Sequence, residues 1–264
     1  MTQGQRTLTL SAPAWRLAVH HASSSDDRSE PIEQRLGMRE ATALAALPLD
    51  VRNRLDTELR EAGILDSAGE LTTDWLRALR AAIEAPIKAN LISTGDGIRT
   101  HCELALFDGL GLSVDASQPV PSNDGAALPG STPVVVTLFT GEEAWEVVER
   151  TLPPFPELTS TESGGARELG RREIGEDAME ALEQSARATV QFSLTAPGYQ
   201  ALHLWLLDEH LEEARVRRTG DGEQPATVLI RHQPGAIARQ FVWDVLGGYQ
   251  AVDHLAGDES EVSR

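Results

Sequence analysis

Seven histidines, one cysteine and one lysine mark where this 264-residue chain could do chemistry, and their spacing decides what kind. His20 and His21 are adjacent; neighbours on a strand point to opposite faces, so the two cannot share a metal. His203 and His210 stand on one helical pattern about two turns, roughly 10 Å, apart, whereas zinc needs every ligand near ~2 Å. His101, His232 and His254 stand alone. Cys102 falls in an alternating run with Ile98, Thr100 and Leu104, the setting of a buried, inert thiol. A reactive cysteine wants a basic, partly exposed environment, and the neighbour here is Glu103. Lys88 follows Ala85-Pro86-Ile87 with no glycine run before it, so it is not the lysine of a phosphate loop.

Other catalytic signatures fail in the same way. No Gly-x-Ser-x-Gly elbow occurs. The paired carboxylates Asp26-Asp27, Glu142-Glu143 and Glu212-Glu213 are sequence neighbours that point apart. Gly95-Asp96-Gly97 and Gly220-Asp221-Gly222 resemble nucleotide loops only in composition, because Asp-Gly supplies the positive φ of a hairpin turn. No catalytic, cofactor-binding or metal-binding residue is assigned, and a non-enzymatic protein without cofactor is expected, the alternatives being a winged-helix regulator or an enzyme whose site is assembled only in three dimensions.

Composition narrows the partners. With 23 basic and 41 acidic residues the formal charge is −18, the opposite of the basic face that binds phosphate backbones. No apolar run approaches the ~20 residues of a membrane helix, and no apolar segment follows a basic start at Met1, so neither membrane insertion nor a secretory signal is expected. One cysteine excludes an intrachain disulfide. A cytoplasmic protein is the reading.

Residues 7–21 alternate through Leu8, Leu10, Trp15, Leu17 and Val19 as an opening strand interrupted by Pro13. Residues 22–36 form a surface loop. Leu44, Leu47, Val51, Leu55 and Leu59 give a helical stripe that starts or breaks at Pro48 and ends at Gly63. Thr72 or Thr73 caps a second helix bearing Trp75, Leu76, Leu79 and Ile83, which ends before Pro86. Strands fill 87–114, turning at Gly95-Asp96-Gly97 and Asp108-Gly109; a linker occupies 115–132. Residues 134–139 make a buried strand, and Thr140 with Glu143 forms a capping box for a short helix stopped at Pro153-Pro154. A long helix over 173–194, about 33 Å, is followed by a helix through Tyr199, Leu202, Leu206 and His210. Trp205 and Leu207 lie off that face, either filling a wide buried face or offering one contact residue. Strands return at 214–218, 226–232, 236–245 and 248–252, with Gly247-Gly248 as a turn.

Helices followed by a hairpin-rich stretch thus occur twice, at 40–114 and 173–252. The best matching fragment sets Leu91-Ile92…Gly97-Ile98 against Leu229-Ile230…Ala236-Ile237. The order implies an α+β fold with pseudo-duplicated halves, 1–156 and 157–256, joined in one antiparallel sheet and followed by a disordered tail, 257–264. The helix–turn–helix–hairpin outline at 40–98 also resembles a winged helix. Its second helix carries only Arg77 and Arg80, however, too little for a recognition helix.

Three stretches, taken in order, resemble the EspG family of cytosolic chaperones in actinobacterial type VII secretion. The first is Glu61-Ala62-Gly63-Ile64-Leu65-Asp66-Ser67-Ala68-Gly69-Glu70-Leu71 with the helix from Trp75 to Pro86. The second is Val134-Val135-Val136 with the helix through Val148 and Leu152-Pro153-Pro154-Phe155-Pro156. The third is Phe241-Val242-Trp243-Asp244-Val245-Leu246-Gly247-Gly248-Tyr249, where Gly248 replaces the arginine often found in the family's closing Gly-Arg-Tyr. The resemblance implies a central antiparallel sheet flanked by two helical bundles in quasi-two-fold halves. It also implies a chaperone or adaptor that holds a PE–PPE-like heterodimer through the sheet and C-terminal bundle, here 173–213 and the strands after it. No individual contact residue carries over.

Overall fold

A computed structural model describes the backbone of residues 5–24, 46–120, 132–162, 168–217 and 226–262. Ten strands form one sheet in the order β1-β5-β4-β3-β2-β7-β8-β9-β10-β6. They are β1 (Arg6–Ser11), β2 (Ile87–Gly95), β3 (Ile98–Phe107), β4 (Leu110–Pro119), β5 (Pro133–Thr140), β6 (Gly170–Ile174), β7 (Ala188–Ala196), β8 (Tyr199–Leu207), β9 (Leu211–Arg217) and β10 (Ala226–His232). Every pairing is antiparallel. Counting outward from the β2–β7 junction, each strand faces the strand five places later in the chain: β3 matches β8, β4 matches β9, β5 matches β10 and β1 matches β6. The two halves are therefore related by a quasi-two-fold axis at the sheet's centre.

Tight turns make the meanders. Asp96 (φ 51°) with Gly97 (φ 72°), and Asp108 (φ 47°) with Gly109 (φ 73°), hold the two successive positive-φ positions of a two-residue hairpin. Register then sorts side chains between the two faces. One face carries Ile87, Leu91, Cys102, Phe139, Val190, Phe192 and Trp205. It is covered by α4 (Ala144–Glu149), the single turn α5 (Pro156–Thr159) and α7 (Ala236–Val262). The second face, on the N-terminal half, carries Leu10, Leu112, Val134 and Val136. Packed there are α1 (Ala12–Ser24), α2 (Leu49–Glu61) and α3 (Thr73–Ile83). Buried Leu55, Leu59, Trp75 and Leu79 follow the helical stripes, and Gly63 leaves α2 at φ 70°. The remaining helix, α6 (Glu176–Ser185), has no buried residue.

Several elements differ from the sequence reading. The opening strand ends at Ser11 and α1 begins there, so His20 and His21 are helical. Ser11 Oγ accepts the Ala14 amide at 3.3 Å, capping the helix, and Pro13 in the first turn favours a helix start. The long helix over 173–194 is replaced by β6, α6 and β7, and 199–210 forms β8 with its following turn rather than a helix. In both places residues four apart also satisfy alternation: Val190, Phe192 and Leu194 line one side of a strand. The reverse error covers 236–252, where aromatic and β-branched residues read as strands form α7, which extends to Val262 through the tail expected to be disordered. Gly247 and Gly248 are not a turn. They bring α7 close to the sheet, where a Cβ at Gly247 would lie 2.8 Å from the Tyr199 ring. Strand β4 uses the linker's start as far as Pro119, and the capping-box residues open a 3-10 turn before α4. The positional counterpart of β2 is β7, not the matching fragment in β10. The 87–98 hairpin has both flanks paired at the sheet's centre, so it is no free wing. The expected loop 22–36 beyond Ser24 and the turn at Gly220-Asp221-Gly222 lie outside the described residues.

Gly111 shows how closely the first face is packed: a Cβ there would fall 2.2 Å from the Phe139 ring. Gly111→Ala should destabilise by about 1–3 kcal/mol through overpacking. Gly170→Ala, which opens into free space, should stay within about 0.5 kcal/mol of wild type. Urea midpoints of the two variants check this.

Candidate functional site

The buried polar residues include two charges, Glu213 and Asp244, and both lie on the first face of the C-terminal half. Strand register places them. Glu213 on β9 sits opposite Trp205 of β8 and Ile230 of β10. His203 lies two residues before Trp205 and His232 two after Ile230, so both share that face. Asp244 comes down from α7, one turn after Gln240.

His203 bridges the two carboxylates. Its Nδ1 is 2.8 Å from Glu213 Oε1, a hydrogen bond, and its Nε2 is 3.0 Å from Asp244 Oδ2. The second contact lies off the hydrogen-bond line and acts through charge. Arg215 Nη2 donates to Glu213 Oε2 at 2.8 Å, and His232 Nε2 approaches the same oxygen at 3.2 Å. Tyr199 Oη and Gln240 Nε2 donate to Asp244 Oδ1 at 2.8 and 3.1 Å. Phe192 and Trp205 stack on the two sides of the His203 ring, and Trp205 meets His232 edge-on.

Burial pulls His203 toward its neutral form, but its close contacts with the Asp244 and Glu213 carboxylates outweigh it and raise the imidazole to about 9. Burial likewise opposes the Glu213 anion, yet His203, His232 and Arg215 hold its carboxyl well below the usual range. Tyr199 is pushed up to about 12 by burial and by its bond to Asp244. At neutral pH His203 is therefore cationic and Glu213 anionic, with the Arg215 guanidinium on the second Glu213 oxygen.

Among the described residues no group of three or more His, Cys, Asp or Glu could hold a metal. The void beside the cluster, under Trp205 and Phe241, measures about 10 Å³, at the lower limit for one water. The arrangement holds protons and fastens α7 to the sheet; it offers no space for a reactant.

The residues weighed first for chemistry lie elsewhere. Cys102 is buried, and burial together with Asp115 pushes its thiol far up. Asp115 is held by Arg150, which also donates to Ser113 and Thr137. This gives the N-terminal half its own carboxylate–arginine pair on β4, the counterpart of β9. Lys88 Nζ donates to the Ile83 carbonyl at 3.0 Å, and His101 pairs with Asn90 at 2.7 Å. His203 and His210 are not on a helix. Trp205 and Leu207 are fully buried, while Leu202 is exposed on the opposite sheet face. Sequence reasoning assigned none of the cluster: His203 and His232 stood as unpaired histidines, Glu213 as one of two adjacent acids, and Asp244 and Arg215 were not weighed. The one available signal was a lone acid in an otherwise apolar run, Phe241-Val242-Trp243-Asp244-Val245-Leu246.

A second feature is an uncovered stretch of sheet. One lateral row runs across the second face through Leu8, Val136, Val114, Glu103, Asn90, Ser193 and Leu202. The register pairing Leu204 with Ala214 carries the row on toward Val216, then to Thr227 and Ile174. At its N-terminal end Leu8, Val136 and Val114 pack into the core beneath the helices. At its C-terminal end Leu202 is 70% exposed and Val216 69%.

The chain matches no protein-family model and no curated protein.

Linkage fixes how the cluster responds to pH. His203 is raised on folding, so its contribution is complete below its ordinary 6.5 and is lost as pH rises through about 9. Glu213 is lowered, so its contribution holds above the ordinary carboxylate range and fades in acid. Stability should therefore fall between pH 7 and 10 by on the order of 2 kcal/mol, screening included. His203→Gln should flatten that alkaline limb. Glu213→Ala, which removes the hydrogen-bond partner of His203 and of the half-exposed Arg215 and leaves His203 with Asp244, should cost about 1–3 kcal/mol at pH 7. Urea denaturation across pH measures both.

Proposed function

We propose that this protein is a cytosolic chaperone of the EspG type, which covers the helical tip of a PE–PPE-like heterodimer and keeps that client soluble for type VII secretion. The supporting observation is the asymmetry between two equivalent sheet faces. In the N-terminal half Val114 and Val136 of the second face lie under the helices; in the C-terminal half Leu206 and Leu229 of that face are buried, but Leu202 and Val216 are presented to solvent. Apolar side chains exposed on a rigid sheet mark a place for another polypeptide. The internal symmetry supports a helical client at the Val216 end, because Val114, its counterpart on the row, packs beneath helices in the other half.

Charge supports the same reading. Glu176, Asp177, Glu180 and Glu183 leave α6 strongly acidic and exposed, and the chain carries −18. A client with basic residues around an apolar helical tip would be steered toward that surface, while nucleic acid would be repelled. Among the described residues no helix is long and apolar enough to cross a membrane. The packed His203 cluster gives an enzymatic reading no support.

Co-expression with the PE–PPE pair encoded nearest to this chain, followed by size-exclusion chromatography, tests the proposal. A soluble 1:1:1 species should elute. Leu202→Asp combined with Val216→Asp should abolish it while leaving the urea midpoint of the free protein within about 0.5 kcal/mol of wild type, as for exposed positions. A client that stays insoluble with wild type, or a complex indifferent to the double substitution, overturns the reading or its assigned surface respectively.

A further inference from the structure

Helix α7 is anchored in two unlike ways. Its first six residues supply the apolar burial: Ala236, Ile237, Ala238 and Phe241 are all in the core. The Phe241 ring meets Phe192 at 5.5 Å and Trp145 at 5.9 Å. From Val242 to Leu255 the only buried side chain is that of Asp244. Val245, Tyr249 and Val252 touch the core in part, and Gly247 and Gly248 lie flush on the sheet with no side chain to interlock. The outward side remains open, with Trp243 at 72% exposure.

We propose that α7 has a fixed root, 236–241, and a releasable arm, 242–255, latched to the sheet through the Asp244 carboxylate by His203 and Tyr199 of β8. The inference is independent of the chaperone reading. A latch of this kind opens at lower cost than an apolar contact of equal area, because its charges regain the hydration they gave up on burial. The strands beneath the arm keep their ladders whether it is docked or lifted, since none of their hydrogen bonds runs through it.

The groups facing the latch come from every neighbouring element. Glu213 and Arg215 belong to β9, His232 to β10, Tyr199 to β8 and Gln240 to α7 itself. β7 offers the Phe192 ring, and Glu168 acts on Arg215 from just before β6. His203 is the cation in contact with Asp244, so losing its proton leaves Glu213 and Asp244 with Arg215 as the nearby guanidinium. The arm therefore loosens on the alkaline side.

Hydrogen exchange followed by mass spectrometry on the full chain tests this. At pH 7, His203→Gln and Asp244→Asn should each speed exchange of amides 242–255 at least tenfold. Strands β2 and β7 should keep wild-type protection. Tyr199→Phe should give a smaller increase. In wild type, after correction for intrinsic rates, the same amides should lose protection with a midpoint near pH 9, a step absent from His203→Gln. Wild-type exchange of the arm in the variants, or loss of protection in step with β2 and β7, overturns the proposal. If either variant does not fold, the wild-type pH series and Tyr199→Phe decide by the same criteria.

Discussion

The antiparallel ladder between β2 and β7 joins the two meanders into one sheet. Alternate residues of both strands are buried, from Ile87 to Leu91 on one and Ala188 to Ala196 on the other. Leu91 lies opposite Phe192, and Ala89 opposite Leu194. The largest core cluster therefore straddles the junction and takes residues from both halves. Breaking that ladder would expose two long apolar edges, and edges of that kind pair with whatever strand is available. The outer edges are protected differently. β6 is short and carries Arg171, Arg172 and Glu173, with Arg172 paired to Glu212 at 2.7 Å, while β1 runs straight into α1.

A buried ionic cluster in such a sheet is not explained by stability alone, because well-packed apolar residues of similar volume often do as well. Its geometry indicates specificity. His203 can satisfy both carboxylates only with α7 at one height and one rotation, since Tyr199 and Gln240 fix the other Asp244 oxygen. Gly247 removes the side chain that would force the helix outward at the next turn. The N-terminal half solves the equivalent problem with Arg150, which joins Asp115, Ser113 and Thr137 from the short α4 region. Each half thus carries an acid on the first face of its fourth strand, at different register positions and with different partners.

The N-terminal half was legible in the sequence from α2 onward because its signals are local. Asp96-Gly97 and Asp108-Gly109 dictate hairpins, Gly63 a helix end, and the Trp75–Leu79 spacing a buried stripe. The C-terminal half misled because its tertiary surroundings override local preference. The run through Phe241, Val242, Trp243 and Val245 favours strand, and it is helical because it lies across a completed sheet. Leu202 and Leu206 fit a helical spacing and an alternating one equally well. The cluster was invisible for a related reason: His203, Glu213, His232 and Asp244 come from four elements, three of which had to be placed correctly first. A helix followed by an antiparallel meander still occurs twice, as α3 with β2–β5 and α6 with β7–β10, although 173–194, 199–210 and 236–252 each took a different form from the one their local pattern favoured.

Duplication itself supplies the final step. Two copies of one unit, joined edge to edge, present equivalent second faces, and both would be expected to bury them. Here α1 and its neighbours close one face, while the chain at the corresponding place in the second unit provides β6 and the acidic α6, which has no buried residue. The difference is not one of sheet composition, since Val114 and Val216 are both valines on the same lateral row. It lies in what each unit supplies as cover. The second unit buries Leu206 and Leu229 of this face and leaves Leu202 and Val216 open, an apolar strip suited to receiving a helix from another chain, as Val114 packs beneath helices in the first unit.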